Sequence, residues 1–215
     1  MNNFTANFSI SSSHFARVTL VSLIFLLTLS HTGLSQEVDM LKNGFSLKLH
    51  MSSYGKESGD DTGFGLEFGN QWYISRFQEN KIGVAILVNW LDFSIASRTE
   101  EFFGNETKYV LFNGSIIELG PLITYKINEN MALDTYFQGR PTVYYIGIDT
   151  DSAFDENEDD PGGTGLTYAL GFSYRYKVFY AGLEFGFGKV KEELFDSSAA
   201  SYKVDNTRFS IGFKF

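Results

Sequence analysis

From residue 44 onward the chain alternates bulky apolar positions with small or polar ones, in one stretch after another. A period of two places successive side chains on opposite faces of an extended strand. Eight strands are predicted on this basis: 44–53, 62–74, 82–95, 109–127, 131–146, 164–176, 178–188 and 204–215. The sixth is the cleanest. Leu166, Tyr168, Leu170, Phe172, Tyr174 and Tyr176 alternate with Gly165, Thr167, Ala169, Gly171, Ser173 and Arg175. The third blurs at Leu87 and Leu91. In the fourth, Pro121 donates no ladder hydrogen bond and predicts a bulge or a broken ladder at that point.

The connections alternate in length as regularly as the strands alternate in polarity. Long polar segments are expected at 54–61, 96–108, 148–163 and 189–203, and tight turns at 75–81, 128–130 and 176–178. All the long segments then fall at one end and all the turns at the other. An even strand count lets an up-and-down antiparallel sheet close on itself and leave no edge.

Alternation alone does not say which face points inward, since a soluble sandwich or a lipocalin-like barrel alternates too. The composition of the less apolar face decides. It is rich in Gly, Ala and Ser with a few charges, whereas a solvated strand face carries mostly Lys, Glu and Thr. Small residues suit the narrow interior of an eight-stranded barrel. The Phe, Leu, Ile, Tyr and Trp of the opposite face are too bulky for that interior and fit against lipid. Trp72, Tyr125, Tyr176 and Phe179 near the turn ends, and Trp90, Tyr145 and Phe187 near the long-loop ends, are expected to form two interfacial girdles. The fold class expected is all-β, an antiparallel up-and-down transmembrane barrel of eight strands.

The front of the chain changes the picture of where this happens. Residues 18–29 read VTLVSLIFLLTL after Arg17. This run is shorter than the about 20 residues a spanning helix needs, and it fits the apolar region of a secretory signal. Gly33 and Ser35 supply small residues for cleavage before Gln36. The domains expected are therefore a cleaved signal peptide at 1–35 and a barrel at 36–215. Beyond Gln36 the chain keeps 16 basic and 26 acidic residues, a net charge of −10. Nucleic acid as a partner is excluded by that balance, because phosphate backbones call for a basic footprint. With no Cys in the sequence there is no disulfide framework, thiolate metal site or lipoprotein anchor.

The last strand carries a resemblance. Phe209, Ile211, Phe213 and Phe215 face one way, and Arg208, Ser210, Gly212 and Lys214 the other. A final strand with alternate apolar positions and a terminal aromatic resembles the Gram-negative outer-membrane β-barrel proteins, porin-like and small eight-stranded ones among them. That resemblance implies outer-membrane localisation after Sec-type export. It also implies recognition of Phe209, Ile211, Phe213 and Phe215 by the barrel-assembly machinery, long loops on the extracellular side, and contact with outer-membrane lipid and lipopolysaccharide.

Candidate chemistry is sparse. The inward set includes Lys48, Glu67, Glu118, Lys126, Asp134, Arg140, Arg175, Glu184 and Arg208, with Lys214 as a further partner for the acids. Charges in so narrow a space must pair, and a plugging ion-pair network is expected; the alternative is a narrow solute pore tuned by the same residues. His50 and Ser52, two apart on one strand with Glu67 on the next, are the only hint of an enzyme. They are similar to the His-x-Ser pair of the outer-membrane lipid A deacylases, which implies a lipid-modifying hydrolase. Those enzymes work from the lipid-facing side, whereas parity here points the pair inward. Asp149, Asp151 and Asp155 begin an acidic loop with Ca²⁺-like oxygen donors, but Ala153 and Phe154 stand where an EF-hand requires a ligand and a turn Gly. A solvated loop bridged to lipopolysaccharide by divalent ions is the expectation, with no resident metal and no cofactor. The function expected is a structural or surface-interaction role.

Overall fold

The computed structural model describes residues 39–55, 62–102, 105–149, 162–191 and 201–215. The expected signal peptide, its cleavage site and most of the acidic loop, Asp151 and Asp155 included, lie outside these residues. The strands are β1 (Gly44–Tyr54), β2 (Thr62–Phe77), β3 (Ile82–Phe102), β4 (Asn105–Asn128), β5 (Met131–Asp149), β6 (Gly162–Tyr176), β7 (Phe179–Lys191), β8 (Ser201–Lys203) and β9 (Asn206–Lys214). Each pairs antiparallel with its neighbour in sequence from β1 to β7, and β9 lies between β7 and β1, so the sheet closes into a ring. The short β8 pairs with the end of β7 and continues the eighth stave beyond an interruption at Val204–Asp205. β8 falls in the segment expected as a loop, 189–203, and the closing strand expected from residue 204 begins at Asn206. Phe215 completes the seam by exchanging two backbone hydrogen bonds with Phe45, at 3.1 and 2.8 Å.

The ring is inside out. Leu, Ile, Phe, Tyr and Trp side chains of every long strand are exposed on its outer surface. Ser, Thr, Asn, Gln, Asp, Glu, Lys and Arg are buried in its interior. In water this arrangement would expose a continuous apolar belt and bury charge, each unfavourable by itself. Against hydrocarbon the belt has its solvent, and closure leaves no unpaired strand edge within it.

Three features depart from the sequence expectation. Residues 96–108 are not a polar loop: β3 and β4 stay paired to Phe102↔Asn105, and β5 pairs with β4 as far as Lys108↔Asp149. The β4–β5 register shifts earlier, between Ser115 and Leu119, although the ladder expected to break at Pro121 does lack β5 partners for Gly120 and Pro121. Pro121 itself stays in register opposite Ile86 of β3. Finally, Trp72 and Trp90 do not belong to separate girdles; they meet edge to face at 5.9 Å, and the Trp90 indole donates to Asn70 Oδ1 at 2.7 Å.

Two of the register shifts act together. The β2–β3 register slips between Phe68/Gly69 and Leu91/Asn89, leaving Trp90 as an extra residue. Across the constant β3–β4 register Trp90 stands opposite the Ile116–Ile117 step. Ile116 and Ile117 are both exposed, and Ile117 takes a φ of +59°, unusual for a β-branched residue. Each bulge adds one residue, so inward parity changes on both strands at the same height. Ala85, Leu87 and Asn89 face inward below it, and Asp92, Ser94 and Ala96 above it.

Candidate functional site: the ion-paired interior

Buried side chains occupy the interior at several levels. At the end where the short turns lie, residues 39–43 tuck under the barrel and bury Met40 and Leu41. Three side chains hold this strap by its backbone carbonyls. Arg175 Nη1 donates to Met40 O at 3.0 Å, the Tyr73 hydroxyl to Met40 O at 3.3 Å, and Arg76 Nη2 to Leu41 O at 3.0 Å. Above the strap Arg175 grips Asp134 with two nitrogens, at 2.6 and 2.9 Å. Thr124 donates to the same carboxylate at 2.6 Å. Lys214 lies with its ammonium 4.8 Å from the Tyr73 ring centre.

At mid-height Lys48 pairs with Glu67 at 2.6 Å and lies 5.3 and 5.0 Å from the ring centres of Tyr136 and Tyr180. Gly171 is needed here, because a Cβ would sit 2.0 Å from the Tyr136 ring. Arg140 bridges two carboxylates, Glu118 at 3.1 Å and Glu184 at 2.5 Å, and Tyr136 donates to Glu184 at 3.0 Å. Asn89 donates to Glu118 at 2.8 Å. Arg208 lies 3.7 Å from Glu184 and makes a close ion pair with Asp92. Toward the long-connection end Tyr54, Ala96, Leu111, Tyr144, Val190 and Val204 form a buried apolar layer.

Charges in this interior balance. Lys48, Arg140, Arg175, Arg208 and Lys214 are buried with Glu67, Asp92, Glu118, Asp134 and Glu184. Long-range compensation matters because a net charge in a low-dielectric interior is expensive, whereas paired and hydrogen-bonded ions are tolerated. The expected inward set is thus brought together at Lys48, Glu67, Glu118, Asp134, Arg140, Arg175, Glu184 and Arg208. Lys126 does not join it. It reaches the turn and pairs with Glu129 at 2.8 Å.

Sequence reasoning missed Asp92, which the bulge at Trp90 turns inward. It replaces Glu67 as the carboxylate beside His50. His50 Nε2 lies 2.9 Å from Asp92 Oδ1, and His50 Nδ1 lies 3.0 Å from Ser52 Oγ. Glu67 is engaged by Lys48 instead. The signal for Asp92 was present: a carboxylate amid Trp90, Leu91 and Phe93 would face lipid unless the parity changed. Gly65 makes room for the ring, since a Cβ there would stand 2.3 Å from His50 Cε1.

A serine, an imidazole and a carboxylate in hydrogen-bonded sequence make up the constellation of a nucleophilic triad. Here the chain is closed. His50 is 3% exposed and Ser52 0%. Arg208 occupies the other oxygen of Asp92. A nucleophile needs space beside its oxygen for the scissile carbonyl and donors for the developing oxyanion. Ser52 is instead packed in a strand paired on both sides, with Gly63 and Arg208 as its neighbours.

The predicted assembly residues fall on the outer face: Phe209, Ile211 and Phe215 are exposed, and the Phe213 ring lies tilted against Phe179 at 5.2 Å and stacked on Phe215 at 6.3 Å. Asp149 closes β5, paired through its backbone with Lys108.

Eight closed antiparallel strands, an apolar exterior and an ion-paired interior define a transmembrane β-barrel of the small outer-membrane type. No family model matches the sequence, and no curated protein matches it. Among solved structures the chain is similar to Ail, the attachment invasion locus protein of Yersinia pestis, crystallised in complex with the heparin analogue sucrose octasulfate. That match has 17% identity and a TM-score of 0.45, over 80% of this chain and 97% of that one. It is also similar to Neisserial surface protein A, with 13% identity and a TM-score of 0.44 over 80% and 97% of the two chains. A de novo designed transmembrane β-barrel matches with 11% identity and a TM-score of 0.35 over 80% and 95%.

Proposed function

We propose that this protein is a non-conducting outer-membrane barrel whose work is done at its exposed end, in a structural or surface-interaction role. It is exported by a Sec-type signal at 1–35, assembled through its closing strand and embedded with the long connections outward. The observation that carries the reading is the charge-balanced interior, packed between the strap at Met40–Leu41 and the apolar layer at Tyr54 and Leu111. Ion-selective pores keep a water-filled path lined by uncompensated charge. This interior pairs its charges with one another, Lys214 over the Tyr73 ring excepted.

The test is single-channel recording on the refolded mature protein in planar bilayers. No discrete conductance steps are expected; steps blocked by altering Arg140 or Arg208 would overturn the plugged reading in favour of a solute pore. The hydrolase reading has the Ser52–His50–Asp92 chain in its favour. We assign that chain to packing. Lipid A acylation should be the same in cells with and without the wild-type protein. An acyl chain lost with wild type and kept with Ser52→Ala would overturn the assignment.

A further inference from the structure

β2 carries a carboxamide in the middle of its lipid-facing row. The outward positions of this strand are Phe64, Leu66, Phe68, Asn70, Trp72 and Ile74. On the neighbouring strands Asn70 stands opposite Phe45 of β1 and Val88 of β3. At about 3.3 Å per residue it lies roughly 20 Å along the strand from Phe64 and about 13 Å from Ile74. It is therefore set within the apolar belt, not at its rim. Its Oδ1 accepts the Trp90 indole N–H at 2.7 Å. An indole nitrogen only donates, so this bond fixes which amide atom is the oxygen. Among the described residues Nδ2 has no hydrogen-bond partner. Acyl chains offer it no acceptor, and an amide without one is costly in hydrocarbon.

What Asn70 leaves unused is complementary to itself. Nδ2 keeps its donors, and Oδ1 keeps the lone pair that Trp90 does not take. Copies of one chain insert in one orientation, so a two-fold axis between them runs along the membrane normal. Such an axis keeps every residue at its own depth and brings a patch against its own copy. Asn70 then meets Asn70 of a second copy, and each amide donates to the free lone pair of the other. The Trp90 bond is kept on both sides. Phe64 and Ile74, 68% and 67% exposed, are the most exposed large apolar side chains described, and they flank Asn70 on the same row. Apolar area alone gives little association between surfaces already in lipid; packing and polar pairs decide it.

We propose that the β2 face centred on Asn70 is a contact between two copies of this chain within the bilayer, closed by a reciprocal amide pair. The contact lies on the wall of the barrel and is independent of the role proposed for its exposed end. Two convex walls meet along a narrow strip. Pairing is therefore reversible, follows the protein-to-lipid ratio, and depends on the amide.

The experiment uses the mature protein with one cysteine introduced in the β4–β5 turn, Glu129→Cys; the sequence has no other. Donor-labelled and acceptor-labelled copies are refolded together into phosphatidylcholine vesicles, and energy transfer is followed as lipid is added. Transfer should be present and should fall on dilution. Asn70→Leu should need about tenfold more protein per lipid to reach half pairing, and Asn70→Gln, which keeps the amide, should stay within about threefold of the parent. Leucine suits a lipid-facing strand position, so the first variant still folds. Spin labels map the contact: at Ile74→Cys they should lie closer between copies than at Leu170→Cys on β6, four strands away around the ring. Transfer absent at every dilution, or unchanged by Asn70→Leu, would overturn the proposal. So would an equal loss in Asn70→Gln, or spin labels that lie closer on β6 than on β2.

Discussion

A buried arginine is held in place by the acid it faces. The Arg175 guanidinium makes two bonds to Asp134 and a third to the Met40 carbonyl, so one side chain ties β5 and β6 to the strap that closes the barrel. Removing one partner of such a pair leaves an uncompensated ion, a loss of about 3–5 kcal/mol. Asp134→Asn is therefore expected to destabilise the folded barrel by about that amount in urea unfolding from lipid vesicles. A loss within experimental error would mean that Arg175 finds water instead. Asp92 shows the limit of reading one residue at a time. Its role depends on an extra residue two positions earlier, and only its charge amid Trp90, Leu91 and Phe93 points to that change of parity. The charges at Lys48, Arg140, Arg175 and Glu184 were legible because each keeps the strict alternation of its own strand.

At the scale of the element, what the sequence conveyed best was strands whose parity never breaks. β6 and β7 follow their expected faces throughout, and the Gly, Ala and Ser positions opposite the aromatics do line the interior. The β3–β4 pair was harder because two bulges at one height cancel between the partners and remain visible only against β2 and β5. Its extension to Phe102 was hidden for another reason. Residues 97–108 carry none of the apolar alternation that marks a membrane strand. The strap at Met40–Leu41 is too short for any period. The bulge also makes a prediction. Ile116 and Ile117 are similarly exposed, but only Ile117 has a positive φ. A strained backbone of this kind costs of order 1–3 kcal/mol, and glycine adopts it freely. Ile117→Gly should thus be less destabilising than Ile116→Gly by about 1 kcal/mol in the same unfolding assay. Equal losses would show that the bulge carries no strain.

For the whole molecule, the account stands on which surface meets which solvent. Both tryptophans of the sequence, Trp72 and Trp90, are on the outer face and 39% exposed, adjacent to each other in the apolar belt. A soluble sandwich or a lipocalin-like barrel built from the same strands would turn this face inward, away from any lipid. The direct measurement is tryptophan fluorescence of the protein refolded into vesicles whose acyl chains carry bromine. The account predicts strong quenching by the brominated lipid and almost none by iodide in the aqueous phase. Emission unaffected by brominated chains would contradict it, and with it the membrane-spanning barrel.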